Sequence, residues 1–178
     1  MRNCLIPKLS ICFLLAFLCA CGDSAWRPMP AQRKPPQGVD PPGWRSFVKF
    51  DDPDQAGFVL RDIGPGDGQA WTSDHPVLRF WVRPRPGLRF VLMIRMAGQT
   101  LRDTGPVTVT INVNGHFLGT IYGPHEGDYH FEQPVPTEWI QLGDPVDVSM
   151  QANPLWTDPA SPPGGMRLGF LIVEAGFR

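Results

Sequence analysis

Beyond residue 21 the sequence contains no cysteine: all four, Cys4, Cys12, Cys19 and Cys21, fall within its first 21 residues. A domain downstream of them has no disulfide whatever its redox compartment, so its stability rests on an apolar core. Runs of basic residues are missing as well, which argues against nucleic acid as a partner. No stretch of about twenty uncharged apolar residues is present, the length a membrane-crossing helix requires. No segment of ten or more residues repeats with the period of 3.6 that marks a helix, and no internal repeat suggests a propeller or solenoid. A Gly-x-Ser-x-Gly elbow and an evident Ser–His pairing are also lacking, and no pattern calls for a cofactor. These absences count against an enzyme.

Proline and glycine, by contrast, are plentiful, with 21 and 19 copies in 178 residues. Both are costly inside helices, and their abundance favours short strands joined by turns. The N-terminus has its own signature. Arg2 and Lys8 precede Leu9–Ala20, twelve residues without a charge, which is too short to span a bilayer but fits the core of an export signal. Losing Arg2 and Lys8 with such a leader moves the formal charge from −1 to about −3. From Gly22 to Pro42 the chain carries Pro28, Pro30, Pro35, Pro36, Pro41 and Pro42, the composition of an extended spacer.

Leu18-Cys19-Ala20-Cys21 resembles the lipobox of bacterial lipoproteins. That resemblance implies a signal peptide over 1–20, diacylglycerol on the thiol of Cys21, cleavage before it, and acylation of the new amine. Several acyl chains hold a protein on a membrane far more firmly than one. Gly22, where an Asp would favour retention at the inner membrane in some bacteria, tilts the expectation to the outer membrane. The expected organisation is therefore 1–20 signal peptide, 21–43 lipidated Cys and Pro-rich linker, and 44–178 folded domain.

Within that domain, Leu88, Phe90, Leu92, Ile94 and Met96 fall on one face of an alternating run, with Arg89 and Arg95 on the opposite face. Val107, Val109, Ile111 and Val113 alternate with Thr108, Thr110, Asn112 and Asn114, and Val146, Val148 and Met150 with Asp147, Ser149 and Gln151. Such a period of two marks strands with one buried face. Leu78, Phe80 and Val82 predict another strand, and Phe117–Tyr122 one more after Asn114-Gly115, a strong hairpin signal. Leu168–Val173 is nearly continuously apolar, as expected of a central strand covered on both faces. Eight or more short strands point to an all-β fold, a two-sheet antiparallel β-sandwich or jelly roll.

The order of Val107–Gly115, Leu118-Gly119, Val135-Pro136, Trp139-Ile140, Val146–Met150, Pro154–Pro163 and Arg167–Phe170 is similar to that of galactose-binding-like jelly rolls. Such domains occur in bacterial envelope proteins and beside some glycosyltransferases, and the similarity covers roughly Ala70–Arg178. They often carry an Asp shortly before the Arg of the last motif; Gly165 and Met166 stand there in this chain.

Three constellations bear on function. His125, Glu126, Asp128 and His130 place four metal-ligating side chains in six residues, although alternate positions of a strand point apart. A solvated hairpin is the stronger reading, and no metal is expected. Asp51 and Asp52 lie in a loop-like Asp-Asp-Pro-Asp run, suited either to calcium or, more simply, to a solvated turn. Trp156, with Asn153, Asp158 and Arg167 around it, forms the candidate ligand site: an aromatic ring to stack on a sugar, and polar groups for its hydroxyls. The competing reading puts such tryptophans in the core, where Trp139 is expected. The functional expectation is a non-catalytic envelope lipoprotein that binds carbohydrate, with docking of an envelope protein as the alternative.

Overall fold

The computed structural model describes residues 44–157, 159 and 165–178. The signal peptide, Cys21, the linker and Asp158 lie outside the described residues.

Eleven strands are present among them: β1 (Phe47–Lys49), β2 (Val59–Ile63), β3 (Ala70–Phe80), β4 (Arg89–Met96), β5 (Val107–Val113), β6 (His116–Gly123), β7 (Gly127–Pro134), β8 (Val146–Asn153), β9 (Trp156–Thr157), β10 (Arg167–Leu168) and β11 (Leu171–Phe177). A seven-residue helix, α1 (Gly98–Thr104), joins β4 to β5. Nine strands form one antiparallel hydrogen-bonded sheet in the order β6-β5-β8-β3-β11-β4-β7, with β1 beside β11 and β2 beside β3; β9 and β10 pair separately. The all-β antiparallel expectation holds. At the two ends of this order β6 and β7 approach each other, with the Phe131 ring against Gly119.

Alternation in the sequence becomes burial in the fold. Phe90, Leu92, Ile94, Val107, Val109, Ile111 and Val113 are all fully buried, while the alternating Thr108, Thr110 and Asn112 are half-exposed. Phe80 and Phe177 lie at 5.4 Å between ring centroids and Phe90 and Phe177 at 5.2 Å, with Phe58 against Phe80 at 5.6 Å. Each such tilted pair adds about 0.5–1.5 kcal/mol beyond its area burial. Every member of the core cluster lies between Val48 and Phe177, and residues 40–178 make a contact unit of their own. A chain trimmed to 40–178 therefore keeps the entire core.

Asn114 and Gly115 adopt φ of 48° and 82° at the β5–β6 turn. Positive φ at both central residues is the type I′ requirement, which Asn-Gly meets at little cost. Two expectations change in detail. The run Leu168–Val173 is not a single strand: β10 ends at Leu168, and β11 begins at Leu171 after Phe170 bonds to Thr72. Of the strand foreseen at Leu78–Val82, Leu78 and Phe80 end a longer one, β3, whose first half lacks the apolar alternation that would have announced it, and Val82 lies beyond its end.

Candidate functional site

That longer strand positions the site. The first part of β3 pairs with β11 (Trp71 opposite Leu171), and the second part pairs with β8 (Val77–Phe80 opposite Ser149–Val146). Between them the sequence reads Ser73-Asp74-His75-Pro76. Proline has no N–H to give to a ladder, so it suits the stretch where one partner is dropped and the other taken up. Asp74 and His75 face the opening this leaves.

A cleft of about 480 Å³ lies there, lined by residues of β3, β5 and β8, by Pro154 and Leu155 after β8, and by Arg167 of β10. Arg167 is held in place by the backbone around it. Ser73 Oγ donates to the Arg167 carbonyl at 2.8 Å. Thr72, fully buried, donates its hydroxyl to the Phe170 carbonyl at 2.8 Å and accepts from the Phe170 N–H at 3.0 Å. Gly169 packs closely there: a Cβ would stand 3.0 Å from both Ala152 Cβ and Thr72 Oγ1, close enough that these neighbours would have to give way.

The chemistry of the cleft is one acid (Asp74), one guanidinium (Arg167), one imidazole (His75), two amides and one hydroxyl. Arg167 Nη2 donates to Asp74 Oδ2, so the two charges neutralise each other. Asp74 Oδ1 is buried and has no hydrogen-bond partner among the described residues. An unsatisfied buried acceptor costs about 1–3 kcal/mol, which a donor from a bound molecule would offset. Thr110, Gln151 and Asn153 supply neutral donors and acceptors at the same wall. Asp74 is the only carboxylate lining the cleft among the described residues.

The residues singled out from the sequence fall in different places. Asn153 and Arg167 line the cleft. Trp156 does not present its ring to solvent: it is 6% exposed, and its Nε1 donates to Asp103 Oδ2 of α1 at 2.5 Å. The indole packs there as a tie between α1 and the short β9, so stacking on a ligand would require it to leave its partners. Trp139 is half-buried in a 3-10 turn, its ring stacked on His116 at 4.8 Å.

His125, Glu126 and His130 do not converge. Tyr129 Oη donates to the His125 carbonyl at 2.8 Å, the carboxylate of Glu126 lies against Gly98, and His130 stands opposite Met93 on the outer side of β7. Asp128 is engaged by Arg95, with contacts of 2.6 and 3.0 Å, and this hydrogen-bonded guanidinium holds its carboxyl below the usual carboxylate range. No group of three or more His, Cys, Asp or Glu side chains among the described residues could hold a metal ion. Asp52 caps the 3-10 turn at Pro53–Gly57 by accepting from the Asp54 N–H at 2.9 Å.

Sequence reasoning passed over Asp74, His75, Thr110 and Gln151. Its one available signal was the polar break Asp74-His75-Pro76 ahead of the apolar Val77-Leu78.

No family model matches the chain, and no curated protein matches it. Among solved structures it is similar to a family GH115 4-O-methyl-alpha-glucuronidase with specificity for decorated arabinogalactans, at a TM-score of 0.43 and 10% identity. The similarity covers 82% of this chain and 19% of that one. A second similar structure is a beta-D-glucuronidase for Dictyoglomus thermophilum, at a TM-score of 0.30 and 12% identity over 75% of this chain and 27% of the other. This chain thus spans a small part of each enzyme's length, and neither likeness is close enough to bring a family or an activity to it.

Proposed function

We propose that the domain is a non-catalytic carbohydrate-binding module, held on the bacterial envelope through lipid on Cys21, with the outer membrane as the favoured location. The observation that carries the binding reading is the Asp74–Arg167 cleft. It joins a charge-neutral acid–guanidinium pair, one of whose carboxylate oxygens is unpartnered among the described residues, to the imidazole of His75, the amides of Gln151 and Asn153 and the hydroxyl of Thr110. Neutral sugars present many hydroxyl donors and acceptors and no net charge, so this inventory suits them. Glycoside hydrolysis ordinarily needs two carboxylates flanking the bond, and the described lining has one. In this reading the β6-β5-β8 and β11-β4-β7 parts of the sheet, joined through β3, act as the two layers of a jelly roll, with the cleft where they part.

The test is a binding screen of residues 40–178 against envelope and capsular glycans, with Asp74→Ala and Arg167→Ala in parallel. Saturable binding that both substitutions weaken is the expected result. No binding to any glycan, or binding indifferent to both, contradicts the reading and leaves protein docking as the alternative. The anchor has a separate test: Cys21→Ala should abolish cleavage at that site and acyl labelling. Unchanged processing and unchanged acyl labelling would contradict it.

A further inference from the structure

The cleft opens onto a sheet surface with an unusual composition. Register places Asn153 of β8 beside Thr108 of β5 and Thr108 beside Tyr122 of β6. The next outward row is Gln151, Thr110 and Thr120, and the one after it Ser149, Asn112 and Phe117. Val107, Val109, Ile111 and Val113 between them are fully buried, so these rows point to solvent. None of the nine positions carries a charge. Asn153, Gln151 and Thr110 belong to the cleft and to this surface at once.

Both aromatic side chains in these rows lie on β6, the strand at one end of the sheet order, and each is 61% exposed. Exposed aromatic rings on a polar, uncharged surface suit the C–H face of a sugar ring. Tyr122 ends the row that begins at Asn153 in the cleft, two strand spacings or about 10 Å away. Phe117 ends a row whose other members, Ser149 and Asn112, do not line the cleft.

We infer that the ligand of the Asp74–Arg167 cleft is a linear, uncharged oligosaccharide. It runs from the cleft across Asn153 and Thr108 and stacks a second or third ring on Tyr122. This rests on the carbohydrate reading of the cleft and adds to it chain length, direction and absence of charge. A monosaccharide fills the cleft alone. Beyond Arg167 and His75 in the cleft, a chain of uronates or phosphorylated sugars would meet no cation along the row to offset its desolvation.

The experiment measures affinity of residues 40–178 for glucose, cellobiose and cellotetraose, and for galactose and the β-1,4-linked galactobiose and galactotetraose, by calorimetry. Wild type is compared with Tyr122→Ala, Tyr122→Phe, Phe117→Ala and Arg167→Ala. In a series that binds, the tetrasaccharide is expected to bind about tenfold tighter than the monosaccharide. Tyr122→Ala removes that gain, Tyr122→Phe keeps it, and Phe117→Ala leaves it unchanged. Arg167→Ala weakens every length alike. Equal affinity for all lengths, or a gain that survives Tyr122→Ala, overturns the extended path while a loss in Arg167→Ala still upholds the cleft. Binding indifferent to Arg167→Ala, or no binding in either series, overturns both.

Discussion

On the outer side of β4 and β7 the charges are paired across the strands: Arg89 with Glu132, and Arg95 with Asp128 in a two-pronged contact. On the outer side of β5 and the cleft end of β8 the equivalent positions hold Thr108, Thr110, Asn112, Ser149, Gln151 and Asn153, and the ion pair of that face, Arg79 with Asp147, sits at the far end of β8. Both surfaces belong to the same sheet and cover the same core. One pairs its charged groups across the strands, and the other presents uncharged hydroxyls and amides. A surface whose groups are already matched gains little by binding, whereas the unmatched one offers directed donors and acceptors at a fixed spacing. Under the proposed function, the difference places recognition on the β5–β8 side and leaves the β4–β7 side as a charged, solvated face.

The largest expected effect strikes both surfaces at once. Phe80→Ala removes a ring packed against Phe58, Phe90 and Phe177 and should cost about 3–5 kcal/mol, read as a lower urea midpoint. Any glycan binding should fall only with the folded fraction. A selective loss at one surface would break the premise of a shared core.

Asp74→Ala should separate the two sides. Removing a charged hydrogen-bonding group from the cleft is expected to weaken glycan binding about tenfold to a hundredfold. Stability should change little, because Asp74 Oδ1 is unsatisfied and Arg167 remains 55% exposed to water. Thr72→Val acts one layer deeper. It deprives the buried Phe170 N–H and carbonyl of their side-chain partner and should cost about 1–3 kcal/mol, with some loss of binding because the segment carrying Arg167 loosens.

The smallest effect belongs to the paired surface and depends on pH. Arg95 holds the folded-state pKa of Asp128 below its unfolded value. The associated stability is present above the ordinary carboxylate range and is lost as pH falls through the lowered value. Urea midpoints of wild type and Asp128→Asn should therefore differ slightly near neutral pH and converge in acid. Glycan binding should be the same for both, and a binding loss in Asp128→Asn would break the comparison.

How much of this was legible beforehand follows from the range of the interactions. The inward faces of β4, β5 and β8 show in the sequence because alternation is local, and the β5–β6 hairpin shows because Asn114-Gly115 is adjacent. The cleft did not show as a whole: Asp74 and Arg167 lie 93 residues apart and meet only because β3 exchanges β11 for β8. Asn153 and Arg167 were reached through their neighbour Trp156, whose own ring turned inward once α1 supplied Asp103 as a partner. The helix itself, seven residues with one buried side chain, is too short to display a period. Gly165 and Met166 stand along the chain just before Arg167; in the fold the acid beside Arg167 is Asp74 of β3.

The most direct test of the division between the two surfaces is an amide chemical-shift map of residues 40–178 titrated with a bound neutral oligosaccharide. Shifts concentrated at Asp74, Thr108, Thr110, Gln151, Asn153 and Arg167, with Asp128, His130 and Glu132 unmoved, are the predicted result. Shifts centred on β4 and β7, or spread evenly over both surfaces, would contradict it.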